Sequence, residues 1–207
     1  MIRLLEERSM LTLALNIRMH GKLVVIIGGG TVAVRKLRTV LAAGAHARVV
    51  AREICPEINE LKNSGAVAIR TGSYMAADLD NAFLVIAATN DSKTNEEVRS
   101  ESEKRGIMAA IADNPSAGDC TFPAVLQRGD LGIAVSTGGR CPTFAVDVRD
   151  LIAGHIGSEY STILEQVAAE REKLLTNGSS SNYNAQVLRL LTNRLIAELT
   201  ERKEPLP

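Results

Sequence analysis

The chain has 207 residues, of which 45% are hydrophobic and 23% charged, a length that suits one or two ordinary domains. Its 24 basic and 24 acidic side chains cancel, and aromatic residues make up only 3%, which disfavours nucleic-acid binding by charge or by base stacking. Apolar runs such as Leu23–Ile27 are far shorter than the ~20 residues that cross a bilayer. The charged first seven residues have no apolar signal-peptide core behind them. We therefore expect a cytoplasmic protein without nucleic-acid or membrane partners.

Residues that commonly bind metals are scarce and scattered. They comprise three cysteines and three histidines, which are Cys55, Cys120, Cys141, His20, His46 and His155. No C-x-x-C pair occurs, which excludes zinc-knuckle and thioredoxin-type motifs. No cluster of His, Asp and Glu at fixed spacing suggests a permanent metal site, so we predict reduced thiols and no resident metal site.

Apolar runs alternate with helical stretches over the first 112 residues. The predicted strands are 22–27, 48–51, 67–69, 83–88 and 107–112. The predicted helices are 32–43, a helix that Pro56 opens, and the charge-rich stretch 91–105. Continuous apolar strands separated by helices are typical of a doubly wound parallel sheet.

The pattern changes after residue 113. Strands at 122–126 and 131–136, separated by a turn at 128–130, predict a hairpin. The rest looks helical from Pro142 onward and is broken once, by a polar loop at 177–182. A leucine-rich stripe on the last helix, 185–201, needs a partner surface within the chain or across a dimer. The predicted fold class is α/β: a Rossmann-type doubly wound parallel sheet, then a small β-hairpin and helix region, then a helical C-terminal tail.

A glycine-rich turn follows the first predicted strand and opens the first predicted helix. Gly28, Gly30 and Ala33 fit the pattern G-x-G-x-x-A. In this pattern the first glycine permits the tight turn, the second lets a pyrophosphate approach the backbone, and the alanine lets helix and strand pack closely. Thr31 and Val32 start the helix, where free N–H groups and a partial positive charge attract phosphate. The strand-turn-helix context favours a dinucleotide site over a purely structural glycine turn.

Two further strand ends contribute candidate cofactor-binding residues. The second strand is followed by Arg52 and Glu53, where dinucleotide-binding folds usually place an acid on the ribose. Arg52 either stacks on adenine or binds a 2′-phosphate, and Glu53 reaches the ribose; alternatively both are solvated charges, and NAD or NADP stays open. Thr89 and Asn90 follow the fourth strand, where strand ends line the ligand crevice. A helix N-cap at Asn90 or Asp91 is compatible with that role.

Five segments, in order and spacing, resemble the siroheme synthase dehydrogenase family. They are residues 21–36, 86–91, 112–115, 121–124 and 134–139. The resemblance covers roughly residues 10–160 and implies a precorrin-2 dehydrogenase that forms sirohydrochlorin with NAD as hydride acceptor. It also implies a homodimer formed through the segment after the Rossmann domain. Some members insert ferrous iron, and longer members carry a methyltransferase domain that this chain is too short to contain.

The resemblance singles out Asp113, at the end of the fifth predicted strand, as the catalytic residue. A carboxylate there either accepts a proton as hydride leaves the macrocycle or binds pyrrole N–H groups. The alternative from the residues alone is an Asx turn before Pro115. The family often has a second acid where this chain has Asn114, whose amide cannot act as a base.

A small-residue segment before the helix at Pro142 is the candidate substrate site. Small side chains let a flat tetrapyrrole approach, and a helix N-terminus binds carboxylates. The predicted substrate-binding residues are Ser136, Thr137, Gly138 and Arg140. Arg128 and Arg149 are further candidates for carboxylate binding, and His155 for metal insertion.

These motifs divide the chain into an NAD-binding Rossmann domain at 1–113, a dimerisation and substrate-cleft region at 114–158, and a helical C-terminal domain at 159–207. A dinucleotide-sensing regulatory module without catalysis is the alternative function, but it leaves Asp113 and residues 136–140 unexplained. An NADP-linked reductase of another small molecule is suggested by Arg52 alone.

Overall fold

A five-stranded sheet flanked by helices forms the first of two compact units, which divide between Phe122 and Pro123. The computed structural model describes residues 12–62, 65–176 and 181–203. The first unit contains, in chain order, β1 (Leu23–Ile27), α1 (Thr31–Ala42), β2 (His46–Ala51), α2 (Pro56–Lys62), β3 (Val67–Thr71), β4 (Leu84–Ala87), α3 (Ser92–Arg105) and β5 (Met108–Ile111). Short 3-10 turns lie at Ala76–Leu79 and Pro115–Ala117.

The strand order is β3-β2-β1-β4-β5, and every neighbouring pair is parallel. Ile27, the last residue of β1, lies opposite Val50 on one side and Ala87 on the other. The order reverses between β1 and β4, which makes the carboxyl end of this pair the switch point where such sheets bind ligands. The predicted α/β fold class is confirmed.

Both faces of β1 are buried, which explains its unbroken apolar sequence. Val24 and Ile26 pack with Leu37 of α1 in one cluster, whereas Val25 packs with Val98 of α3 in the other. Alternate residues of a strand point to opposite faces, so a strand covered on both sides needs apolar side chains throughout.

β2 and β3 are longer than the apolar pattern predicts. β2 starts at His46, whose N–H donates to the Lys22 carbonyl at 2.9 Å, and β3 continues to Thr71. Polar residues extend these strands because the pairing uses main-chain groups. Side-chain hydrophobicity therefore marks only part of these two strands.

The free edge of β5 is covered by the segment that follows it. The outward N–H of Ala109 donates to the Asp119 carboxylate at 2.9 Å. Its carbonyl accepts from the N–H groups of Asp119 and Cys120, at 2.8 and 3.3 Å. Both outward main-chain groups of Ala109 are thus satisfied within the chain.

The second unit begins with an antiparallel hairpin of β6 (Ala124–Arg128) and β7 (Leu131–Val135), with Gly129 in the left-handed region at its turn. Three helices follow: α4 (Pro142–His155), α5 (Glu159–Thr176) and α6 (Ser181–Lys203). The predicted hairpin and helical tail are confirmed.

The helix boundaries in the tail differ in two places from those that the sequence pattern predicts. The helical region is broken a second time, after His155, where Arg128 Nε donates to the Ile156 carbonyl at 3.0 Å. Of the predicted loop at 177–182, residues 177–180 lie outside the described residues, and α6 already starts at Ser181. α6 packs against α5, which supplies a partner surface within the chain.

Among the described residues, no helix is long and apolar enough to cross a membrane.

In the turn between β1 and α1, neighbouring main chains approach too closely for a Cβ at two glycines. Gly28 has a φ of 129°, and a Cβ there would overlap the Ala88 carbonyl oxygen. A Cβ on Gly29 would overlap the carbonyl oxygen of Glu53. Gly30 differs, because its φ is −93° and a Cβ would meet nothing within 4 Å. The fold itself therefore requires glycine at 28 and 29 but not at 30.

We expect Gly28→Ala to lower the free energy of unfolding by at least about 2 kcal/mol, because it combines a strained backbone with a main-chain overlap. Gly30→Ala, the matched control two residues away, should stay within about 1 kcal/mol of the parent because its backbone is compatible with alanine. Urea denaturation followed by circular dichroism measures both. Equal losses in the two variants would contradict this assignment of the glycines.

Candidate dinucleotide-binding site

A cavity of about 660 Å³ opens at the carboxyl ends of β1, β2 and β4, within the usual size range of ligand sites. Six of the predicted cofactor-binding residues line it, and these are Gly28, Gly30, Arg52, Glu53, Thr89 and Asn90. The other two, Thr31 and Val32, start α1 directly after Gly30 and are exposed. The topology thus brings the candidates from three strand ends to one place.

The N-terminus of α1 is suited to an anion. Gly30 occupies the N-cap position, so no side chain caps the helix, and the first turn contains no acidic residue. The first helical amide that pairs within the chain is that of Val34, which donates to the Gly30 carbonyl at 3.0 Å. The amides of Thr31 and Val32 are therefore available, next to a glycine whose missing side chain leaves open space. These features fit the pyrophosphate of a dinucleotide.

The end of β2 is tied to the glycine turn and to the opposite wall. The Cys55 N–H donates to the Gly29 carbonyl at 3.0 Å, which holds the segment after β2 against the turn. Arg52 Nε donates to the Ser73 hydroxyl at 3.1 Å. Arg52 and Glu53 are both exposed at the cavity, so solvation and ligand contact are compatible for both side chains.

Ser73 and Tyr74 form a wall of the cavity that the sequence pattern does not predict. Its shape depends on the buried carboxylate of Asp78, which receives the forked guanidinium of Arg70 and the N–H of Met75, the latter at 2.8 Å. Arg70 also donates to the Ser73 carbonyl at 2.7 Å. In the sequence, the signal for this pair is limited to a basic residue, Arg70, two positions before Gly72 and an acid, Asp78, six positions after it.

Burial, reinforced by the nearby negative charge of Glu101, raises the pKa of Tyr74 to about 12. The phenol therefore stays protonated and uncharged across the physiological range. Tyr74 contributes a neutral aromatic surface to the cavity.

In the loop between β4 and α3, the helix is capped by Asp91 and not by Asn90, although both residues line the cavity. Asp91 caps α3, because its carboxylate accepts from the Lys93 N–H at 3.1 Å and from the Thr94 hydroxyl at 2.7 Å. The hydrogen bond from Thr94 is the largest cause that lowers the pKa of Asp91 below its ordinary value. Asn90 is therefore not the cap, and its exposed side chain lies at the cavity.

Asp113 lies at the same edge of the sheet but does not line this cavity. The Ala112 N–H donates to the Ala87 carbonyl at 2.9 Å, which places this segment beside the end of β4. The turn contacts belong to Asn114, whose carbonyl accepts from the Ala117 N–H and whose side chain accepts from the Ser116 hydroxyl. Within the part of the chain that the structure describes, the Asp113 carboxylate has no hydrogen bond or ion pair.

The predicted substrate-binding residues share one loop of the second unit, between β7 and α4. Ser136 Oγ accepts from the Gly138 N–H at 3.2 Å. The Thr137 hydroxyl accepts from the Cys141 N–H and donates to its carbonyl, at 3.2 and 3.1 Å. These bonds give the loop a defined conformation directly before α4.

The candidate arginines differ in their partners. Arg128 donates to the Ile156 and Gln127 carbonyls, and Arg149 pairs with Asp150. The Arg140 guanidinium has no partner among residues 12–62, 65–176 and 181–203, and so remains available for a ligand. The same ranges contain no group of three metal-binding side chains, and His155 is exposed in the last turn of α4.

A family model described as "Putative NAD(P)-binding" matches residues 15–124, more than half of the chain. The chain belongs to this NAD(P)-binding family. The match includes the glycine turn and every residue that lines the cavity, so the predicted cofactor class is confirmed.

Curated relatives confirm the resemblance found in the motifs. A siroheme synthase of Photorhabdus laumondii is 33% identical over 162 residues, covering 78% of this chain and 34% of the relative. A siroheme synthase of Ectopseudomonas mendocina is 38% identical over 146 residues, covering 70% of this chain and 31% of the relative. The chain thus spans about a third of the length of the curated relatives that it matches.

A solved structure named "SirC, precorrin-2 dehydrogenase" shares the fold. Its TM-score is 0.74 at 23% sequence identity, and the match covers 92% of this chain and all of that chain. The likeness confirms the fold over both units of this NAD(P)-binding protein.

We expect Gly30→Asp to abolish NAD binding while the protein stays folded. The side chain has room, but its carboxylate occupies the open space beside the α1 N-terminus and repels a pyrophosphate. Titration calorimetry measures the affinity, and Gly30→Ala separates the effect of charge from that of bulk. An unchanged NAD affinity in Gly30→Asp would refute the assignment of the site.

Proposed function

We propose that the chain is an NAD-dependent dehydrogenase that oxidises precorrin-2 to sirohydrochlorin. The observation that carries the proposal is the carboxylate of Asp113, which has no partner among the described residues and lies at the same sheet edge as the dinucleotide cavity. The relatives named siroheme synthase and the precorrin-2 dehydrogenase with the same fold supply the substrate class.

Each part of the site has a role in this reaction. The amides of Thr31 and Val32 hold the diphosphate, while Arg52 and Glu53 contact the adenosine half. Bound NAD supplies the hydride acceptor. Oxidation of precorrin-2 removes one hydride and one proton, and Asp113 either accepts that proton or binds the pyrrole N–H groups that orient the macrocycle.

The substrate's carboxylates need donors, and we assign them to the loop before α4. Ser136 offers its hydroxyl hydrogen, and Arg140 offers a guanidinium that has no partner among the described residues and suits bidentate binding. Thr137 and Gly138, whose hydroxyl and amide already bond within the loop, hold its shape so that a flat substrate can approach. Arg128 and Arg149 are less suitable, because their guanidinium groups already have partners.

We further propose that the chain works as a cytoplasmic homodimer, with 1–113 as the cofactor domain, 114–158 as the dimerisation and substrate region and 159–207 as the helical tail. Two-stranded sheets are marginally stable alone, and the β6–β7 hairpin exposes Val125. On α4, Phe144 and Leu151 are 59% and 67% exposed. Such exposed apolar side chains favour burial against a second copy.

An anaerobic assay with precorrin-2 and NAD, followed by absorbance, tests the activity. One NADH should form for each sirohydrochlorin, with a higher kcat/KM for NAD than for NADP. A preference for NADP of about tenfold or more would assign Arg52 to a 2′-phosphate. NAD binding without turnover would favour the alternative, a sensing module, and later addition of ferrous iron tests for metal insertion.

We expect Asp113→Ala to lower the turnover of precorrin-2 by about a hundred- to ten-thousand-fold, the usual range for a positioned acid-base group. NAD affinity and melting temperature should barely change, because the carboxylate does not line the cavity and has no bond to any residue that the structure describes. Asp113→Asn separates the two roles, since asparagine still accepts pyrrole N–H bonds but takes up no proton. Normal turnover with an earlier melt in Asp113→Ala would make the residue structural.

We expect light scattering at micromolar concentration to give twice the chain mass of 22.2 kDa. Phe144→Asp should shift the protein towards the monomer, because it places a charge in the proposed interface. Leu190→Asp on α6 is the matched control, as Leu190 is 71% exposed and lies outside 114–158. A parent protein that is monomeric, or a control that dissociates equally, would contradict the interface.

A further inference from the structure

Asn95, in the first turn of α3, is a polar side chain with only 1% exposure. A buried carboxamide requires hydrogen-bond partners, because an unmet donor or acceptor in the interior is costly. Its side-chain bonds all go to a single residue, Thr89. Its Oδ1 accepts from the Thr89 hydroxyl at 2.7 Å and from the Thr89 N–H at 3.3 Å. Its Nδ2 donates to the Thr89 carbonyl at 3.1 Å.

Thr89 is thereby fixed to the protein. Its hydroxyl also bonds the backbone of Asp91, accepting from the N–H at 3.1 Å and lying 3.0 Å from the carbonyl. The hydroxyl has one hydrogen, and both acceptors within reach belong to the chain. Thr89 therefore lines the cavity with a hydroxyl whose hydrogen is already engaged.

The neighbours of Thr89 are constrained as well. On one side, Ala88 N–H donates to the Ile27 carbonyl at 2.8 Å, and the Ala88 carbonyl faces Gly28. On the other side, Asp91 caps α3. Of the loop residues 88–91, only Asn90 has an exposed side chain at the cavity that has no partner among the described residues.

We infer that Asn95 is a positioning residue of the dinucleotide site, which holds Thr89 so that Asn90 is presented to the bound dinucleotide. Asn95 itself is buried beneath the loop and acts through Thr89. The inference rests on dinucleotide binding in the proposed function and adds the residue that gives the β4–α3 loop its shape.

The competing explanation is that Asn95 only stabilises α3. Ser102 allows a direct comparison, because it lies on the same helix, is also 1% exposed, and donates its hydroxyl hydrogen to the Arg99 carbonyl at 2.7 Å. Ser102 does not line the dinucleotide cavity. We therefore expect loss of its hydrogen bond to affect the helix and not the loop.

The test compares NAD affinity, by titration calorimetry, with melting temperature in matched variants. Asn95→Ala and Thr89→Val should each weaken NAD binding by about tenfold or more, and Thr89→Ser should recover most of that loss. Ser102→Ala should lower the melting temperature and keep the parent affinity. In an Asn90→Ala background, Asn95→Ala should add less than about twofold, because both changes remove the same contact.

An NAD affinity within about twofold of the parent in Asn95→Ala and Thr89→Val would overturn the inference, as would full additivity of Asn90→Ala and Asn95→Ala. If Asn95→Ala does not fold, Thr89→Val decides, because valine keeps the branched shape and the main-chain bonds to Asn95. A parent protein that does not bind NAD would refute the proposed function itself. A binding parent with unaffected variants would refute only the role of Asn95.

Discussion

The first unit depends on a main-chain contact at the switch point of its sheet, where Gly28 meets the Ala88 carbonyl with no room for a Cβ. The Gly28 N–H donates to Val50 and the Ala88 N–H to Ile27, both at 2.8 Å. The ends of β1, β2 and β4 are therefore joined directly through backbone atoms. This closeness places the α1 N-terminus, the Arg52 segment and the Asn90 loop around one cavity.

Much of this arrangement is predictable because its causes are local. A strand covered on both faces must be continuously apolar, so β1 and β4 are recognisable without any knowledge of their neighbours. The spacing of Gly28 and Gly30 reflects the requirements of one turn. Once the strands are ordered as a doubly wound sheet, the switch-point rule alone brings Arg52 and Asn90 to the cavity.

The missed features depend on side-chain pairs that the sequence does not identify as pairs, or on burial that composition conceals. The wall at Ser73 and Tyr74 is held by Arg70, which binds both Asp78 and the Ser73 carbonyl, and the sequence contains both charges without showing that they pair. Asn95 lies in a charge-rich helix that looks like solvated surface, yet it is buried together with Ser102. The same limit affects Arg128, which the sequence suggests as a ligand for carboxylates but which instead binds the carbonyl after α4.

The covered edge of β5 has a consequence for how the protein associates with other chains. An exposed edge strand is a template on which a foreign strand can add, the usual start of edge-to-edge aggregation. At Ala109 both outward hydrogen-bonding groups are taken by Asp119 and Cys120, so an incoming strand would first have to displace these internal bonds. The segment after β5 therefore disfavours the addition of a foreign strand at this edge of the sheet.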